Sequence, residues 1–174
     1  MIQSTFSFIS GKLHISDLSS FLKSLHTFSE KHKVQIQGFD ARKIVDDDHL
    51  LFSIDRAEDA FSKGVNESKD LCLEVLRFSS GQRKIDKSFS MGLYEGVNDS
   101  IFVFFGASAQ QLENAQKEFY GVFGLTESTP LSLLEKKPFL MAQFNITANE
   151  LAAVGENRLK DLVMERVALT DVIR

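Results

Sequence analysis

Residues 101–105, IFVFF, give the strongest strand signal in the sequence. The run consists only of β-branched and aromatic residues, which favour strands, and no polar residue interrupts it. An uninterrupted apolar run of this kind is typical of a central strand that is covered on both faces. We therefore place this segment in the middle of a sheet and assign the other elements around it.

Two further strands are predicted on the N-terminal side of this segment. Phe6 and Phe8 flank Ser7, and residues 34–39 alternate apolar residues with glutamine. Alternation with a period of two is the pattern of a half-buried strand. The sequence therefore predicts a small, largely antiparallel sheet.

Helices are predicted where apolar residues recur at helical spacing behind a capping residue. They begin near Asp17, Asp46, Ser68 and Ser108. Two more are predicted, one near residues 82–91 and one from near Glu156 almost to Arg174. A strand remains the alternative for the segment after Ser68, and the helix from Ser108 is expected to stop at Gly121. Residues 129–146 are expected to form one short helix and then a turn or strand, because Pro138 would interrupt a longer helix.

Length and composition fit one folded domain. With 174 residues, of which 43% are hydrophobic, the chain can build one substantial core and is too short to indicate two. We predict an α+β fold: a single domain, residues 1–174, in which several helices cover the small sheet.

Charge and cysteine usage narrow the function classes. The net charge of −4 argues against a protein that coats nucleic acid with its whole surface, so any such contact must be local. Cys72 is the only cysteine and has apolar neighbours, which favours a buried thiol and a reducing compartment. The N-terminus lacks the pattern of a secretory signal, and no segment approaches the roughly 20 apolar residues of a membrane span. These features predict a soluble, cytoplasmic protein without membrane contact.

Catalytic and metal-binding motifs are not found in the sequence. The four histidines, His14, His26, His32 and His49, lack the spacing of a helical metal pair. There is no phosphate-binding loop of the GxxxxGK[ST] type and no GxSxG nucleophile elbow, and the run of aspartates at 46–48 is better explained as a helix start. We therefore predict no catalytic residue, no metal and no cofactor, although an enzyme with an unrecognised site remains an alternative.

A basic corner is the one local feature that indicates a ligand. Arg77, Arg83 and Lys84 surround the turn Ser79-Ser80-Gly81 in an otherwise acidic chain. A helix that started just after Gly81 would direct free backbone N–H groups outward, and cations beside it would attract an anion such as a phosphate. The alternative is a solvated turn between two helices, with glycine in the left-handed conformation.

Three separated segments resemble one family. They are DARKIVDDDHLLFSIDRAEDAFSKG (residues 40–64), LCLEVLRFSSGQRKIDKSFSMGL (residues 71–93) and VMERVALTDVIR (residues 163–174). Together they resemble the small subunit of the KEOPS (EKC) complex of the Cgi type, the family of the PRPK-binding protein. The resemblance departs at Lys84, where the family often has glutamine, and it does not extend to residues 129–146.

The resemblance implies a non-catalytic accessory subunit of the complex that makes threonylcarbamoyladenosine in tRNA. In that family the subunit binds the small lobe of a kinase-like ATPase subunit, contacts other KEOPS subunits indirectly, and holds the single-stranded 3′ end of tRNA. The RNA-binding residues expected here are Arg77, Ser80, Gly81, Gln82, Arg83, Lys84 and Ile85, of which Ile85 would offer an apolar surface to an unstacked base.

The last helix is the predicted partner surface. Its apolar residues cover most of the helix circumference, more than the roughly 100° stripe that packing on one core requires. The partner-binding residues expected on it are Leu159, Leu162, Val163 and Val167. The alternative is a helix buried on several sides by its own domain. An interaction module that regulates a kinase-like partner without binding RNA is the alternative function.

Overall fold

The computed structural model describes residues 5–172. In chain order its elements are β1 (Thr5–Ile15), α1 (Leu18–His32), β2 (Gln35–Asp40), α2 (Asp47–Lys63), α3 (Leu71–Ser79), α4 (Ile85–Ser88), β3 (Gly96–Gly106), α5 (Ala109–Phe123), α6 (Leu133–Gln143), α7 (Ala148–Val154) and α8 (Leu159–Ala168). Short 3₁₀ turns follow β2, follow α4 and precede α8. Within residues 5–172, no helix has both the length and the apolarity needed to cross a membrane.

The sheet has the order β1-β3-β2, and β3 pairs antiparallel with both neighbours. In the register, Phe105 lies opposite Phe6 on one side and Gln35 on the other. Residues 102–105 are buried, as expected for a central strand. The predicted central position of IFVFF and the α+β class with a small antiparallel sheet are confirmed.

The chain divides into two compact units, and each is discontinuous in sequence. The first unit, described over residues 5–41 and 93–130, contains the sheet with α1 and α5. Its core is rich in aromatic rings. The centre of the Phe119 ring lies 4.7 Å from the centre of the Phe102 ring and 5.4 Å from the centre of the Phe104 ring. Edge-on and tilted ring pairs of this kind add to the stabilisation from apolar burial. The prediction of one domain over residues 1–174 stays a prediction.

The second unit, described over residues 42–92 and 131–172, is helical and contains the predicted sites. Its longest helix, α2, begins at the cap Asp46, whose side chain accepts a hydrogen bond from the His49 N–H, and ends at Gly64 in the left-handed conformation. One core cluster of this unit consists of buried residues from α6, α7, α8 and two flanking segments: Val45, Leu140, Phe144, Ile146, Leu151, Leu159, Leu162, Val163 and Val167.

Several helix boundaries differ from the sequence prediction. The segment after Ser68 is helical, as preferred, but its cap is Asp70. The helix capped by Ser108 continues past Gly121 to Phe123 and is capped by Gly124. Pro138 lies inside α6 and does not interrupt it, although proline disfavours a helix interior, because the buried residues on either side of it, Lys136 and Leu140, hold the helix in place.

The two predicted helices nearest the candidate sites are both shorter than expected. The helix expected over 82–91 is the single turn α4 followed by a 3₁₀ turn. The last helix, expected from near Glu156 almost to Arg174, begins at Leu159 and ends at Ala168. The end of that prediction, which approached Arg174, lies outside the described residues.

Candidate functional site

Arg77 is buried rather than exposed. Its Nη2 and Nε donate to Glu74 Oε1 at 2.6 and 3.2 Å, and its Nη1 donates to Asp171 Oδ1 at 2.8 Å. The guanidinium carbon also lies 4.3 Å from the centre of the Phe78 ring. The charge and the hydrogen-bond donors of the Arg77 guanidinium are therefore paired with groups of the protein itself. The expectation that Arg77 is a surface cation that contacts phosphate is therefore wrong: its side chain is 1% exposed.

The buried Arg77–Glu74 pair remains charged because each ion is well hydrogen-bonded. Burial acts to raise the pKa of Glu74, but the hydrogen bonds from Arg77 and Ser68 outweigh it and lower that pKa. Burial likewise opposes the charge on Arg77, and the bonds to Glu74 and Asp171 overcome it and raise the pKa. Glu74 Oε2 also accepts the Ser68 N–H at 2.9 Å. The pair thus joins α3 to the segment before it and to the turn after α8.

Ser80 and Gly81 form the turn itself. Ser80 is buried, and its Oγ donates to the Arg77 carbonyl at 2.7 Å and accepts from the Gln82 N–H at 3.1 Å. Gly81 has φ of +64°, a conformation that side chains rarely adopt, and a Cβ there would lie 3.2 Å from the Phe144 ring. Both residues therefore have a structural role in the turn, which matches the helix-to-helix turn considered as the alternative.

The start of α4 is not an anion site of the expected kind. The helix begins at Ile85, four residues after Gly81, and consists of 4 residues. Its cap, Lys84, makes no side-chain capping bond. A single helical turn has too small a dipole to attract an anion by itself. The argument for a phosphate at a helix N-terminus just after Gly81 is therefore wrong.

The basic corner has a solvent-exposed part, residues 82–90, with the sequence QRKIDKSFS. We call it the basic segment. Arg83, Lys84 and Lys87 are exposed, whereas Gln82 and Ile85 are partly buried. The segment contains three cations and one acid, Asp86. Of the predicted RNA-binding residues, the structure thus leaves Arg83 and Lys84 as surface cations, with Gln82 and Ile85 beside them.

Phe89 is the residue of this segment that the sequence analysis missed. It is 58% exposed, which is unusual for a large aromatic side chain in the middle of a folded unit. It follows Ile85 by four positions and begins the 3₁₀ turn after α4. That spacing was visible in the sequence, but the exposure of Phe89 was not.

The predicted partner-binding residues are buried in the second unit. Leu159, Leu162, Val163 and Val167 are at most 6% exposed, and all belong to the core cluster of that unit. Their assignment to a partner surface is therefore wrong, and the alternative of a helix buried by its own chain is what the structure has. The exposed positions of α8 include Asp161 and Glu165, so its outer face is polar.

His49 is a second buried polar residue next to the turn. Its Nε2 lies 2.9 Å from the Ser79 carbonyl and its Nδ1 accepts the Val45 N–H at 3.2 Å, which fixes the neutral imidazole with its proton on Nε2. Burial lowers the pKa of His49 to about 4, although the Ser79 carbonyl and Asp46 oppose this. His49 is therefore a neutral, buried residue with a structural role at physiological pH.

Metal-binding clusters were also sought among the side chains. Within the part of the chain that the structure describes, no three His, Cys, Asp or Glu residues lie together as a metal site would require. Cys72 is buried, and burial raises the pKa of its thiol. The predicted buried thiol is confirmed.

A comparison with known protein families identifies the family of the chain. The family model described as kinase binding protein CGI-121 matches residues 14–171. No curated protein sequence matches the chain. Since the family match covers most of the chain, including both units, the chain belongs to the CGI-121 family.

Proposed function

We propose that this member of the CGI-121 family of kinase binding proteins is a non-catalytic accessory subunit of the KEOPS complex, which modifies tRNA to threonylcarbamoyladenosine. In this role it binds the small lobe of a kinase-like ATPase subunit in the cytoplasm and contacts the other subunits through it. It also binds the single-stranded 3′ end of tRNA. The kinase-binding role rests on family membership, and the RNA-binding role rests on one observation, the exposed basic segment 82–90.

The chemistry of the basic segment favours RNA over a small anion. A small anion needs convergent donors, and the donors that the sequence predicted are absent: Arg77 is paired inside the protein and α4 is one turn long. Exposed cations that follow one another along a surface segment match a phosphate backbone, which presents charges in series. Arg83, Lys84 and Lys87 have this arrangement. The net charge of −4 argues against binding over the whole surface and favours a local contact of this kind.

Replacing both Arg83 and Lys84 with alanine is expected to weaken binding of intact tRNA. Few phosphates can contact so small a segment, so the wild-type affinity should fall with salt with a shallow slope of about two or three counterions. The double variant should have a slope lower by roughly one to two, since each lost contact removes about one counterion. Binding is measured by fluorescence anisotropy of labelled tRNA over a series of salt concentrations.

A matched control makes the same change of charge outside the segment, in the other unit. Lys23 in α1 and Lys117 in α5 are exposed lysines of the first unit. The variant with both replaced by alanine should bind tRNA as the wild type does. The second arm of the experiment uses tRNA whose unpaired 3′ nucleotides have been removed, and this RNA should bind more weakly to the wild-type protein. Equal binding of intact and trimmed tRNA would exclude recognition of the 3′ end.

A pull-down from native extract separates the proposed function from its alternative. A kinase-like protein and tRNA recovered together would support the accessory subunit that binds both. A kinase-like protein recovered without tRNA, also after crosslinking, would support an interaction module that regulates a kinase-like partner without RNA. Turnover of an added substrate that disappears with a point substitution in this chain would contradict the non-catalytic assignment.

A further inference from the structure

We infer that Phe89 is a stacking platform for an unpaired base of the bound RNA, an inference that rests on the proposed function. A large aromatic ring loses favourable burial when it remains 58% exposed. Such exposure is explained when a ligand covers the ring. Because Phe89 lies within the basic segment, the class of ligand that fits best is a nucleic acid.

The surroundings of Phe89 are cationic. Arg83, Lys84 and Lys87 precede it within six residues, and Asp86 is the only acid between them. A fourth cation approaches from outside the segment, because Lys43 Nζ donates a hydrogen bond to the carbonyl of Ser90, the residue next to Phe89. An aromatic side chain among cations is the arrangement by which proteins bind single-stranded nucleic acid: the cations follow the phosphates and a base stacks on the ring.

The backbone beneath Phe89 makes the platform rigid. Ser88 is buried, with its Oγ 3.0 Å from the Oγ of Ser80 in the turn, and Met91 is fully buried. Ser90 Oγ donates to Gln143 Oε1 at 3.0 Å, which fixes the segment to the end of α6. The residues on both sides of Phe89 are thus anchored while its ring faces solvent. An aromatic ring on an anchored backbone binds a base with little loss of conformational entropy.

Stacking and charge make separable contributions to binding. A base–ring contact does not involve counterions, whereas phosphate contacts release them. Replacing Phe89 with alanine should therefore weaken binding of intact tRNA by about tenfold and leave the salt slope unchanged. The Arg83 and Lys84 double variant should instead lower the slope. Leu134, an exposed apolar residue of α6, is the matched control, and Leu134→Ala should bind as the wild type does.

Base stacking can be detected directly by tryptophan fluorescence, because the chain contains no tryptophan of its own. Phe89→Trp places a single indole in the basic segment, and Leu134→Trp places one elsewhere on the surface of the same unit. Intact tRNA should quench the fluorescence of Phe89→Trp, because a stacked base is in contact with the indole, and should leave that of Leu134→Trp unchanged. End-trimmed tRNA should not quench either. Thermal unfolding of each variant confirms that it is folded.

The possible outcomes distinguish failure of this inference from failure of the proposed RNA-binding function on which it rests. Quenching by intact tRNA together with a tenfold loss for Phe89→Ala supports the platform. If the wild type binds the 3′ end but Phe89→Ala binds equally well, the platform is overturned and RNA binding stands. If Phe89→Ala retains RNA and loses the kinase-like partner, Phe89 is a protein contact and the inference is wrong. If the wild type does not bind tRNA, the proposed RNA function fails and the platform fails with it.

Discussion

Replacing Arg77 with methionine is expected to lower the free energy of unfolding by about 3–5 kcal/mol, which is the usual cost of removing one partner of a buried ion pair. Methionine fills most of the volume but leaves the carboxylate of Glu74, which is fully buried, without its cation. The neutral hydrogen bond from Ser68 cannot compensate for that charge. Urea unfolding followed by circular dichroism measures the loss.

A double variant tests whether the unpaired charge is the cause. Glutamine at position 74 still accepts the Ser68 N–H and carries no charge, so Glu74→Gln combined with Arg77→Met should be more stable than Arg77→Met alone. Lys63→Met, which removes an exposed cation of α2 paired with Asp59, is the surface control and should change stability by less than about 1 kcal/mol. If Arg77→Met unfolds at the wild-type urea concentration, Arg77 is not the internal partner that the structure describes.

The elements with local signals could be predicted from the sequence. The period-two alternation and the bulk of IFVFF identified the strands, and capping residues such as Asp17, Asp46 and Ser108 identified helix starts within a residue or two. Helix ends were predicted less well, because they depend on packing. Pro138 shows the limit: proline disfavours a helix interior, but the buried side chains of α6 keep the helix intact across it.

The site was harder to predict than the fold because burial of a charge is decided by residues far away in sequence. Arg77 was grouped with Arg83 and Lys84 as a basic corner, yet its partner Asp171 lies 94 positions later. Its other partner, Glu74, lies three positions earlier on the same helix, and contacts at that spacing can be predicted from the sequence. For α8, an apolar surface around most of a helix predicts burial but does not identify what covers it. In this chain the cover is the core of the second unit.

Acidification should destabilise the protein through His49 by about 3 kcal/mol in total, spread over the pH range from 6.5 down to about 4. In the unfolded chain this imidazole binds a proton below its ordinary pKa of 6.5, whereas burial lowers its pKa in the folded protein to about 4. Between these values the unfolded state binds more protons, so a falling pH favours unfolding. The stabilisation is complete above pH 6.5 and is lost as the pH approaches 4.

The hydrogen bonds of His49 give the molecular reason for this pH dependence. A second proton would go to Nδ1, which accepts the Val45 N–H, so protonation would break that bond and place two donors against each other. Lys136, whose buried ammonium donates to the Ile44 and Val45 carbonyls, adds positive charge nearby, while Asp46 opposes it only in part. Unfolding free energies at several pH values should therefore fall more steeply for the wild type than for His49→Gln, by about 1.4 kcal/mol per pH unit within this range. Parallel profiles for the wild type and His49→Gln would contradict the neutral, buried imidazole beside the turn.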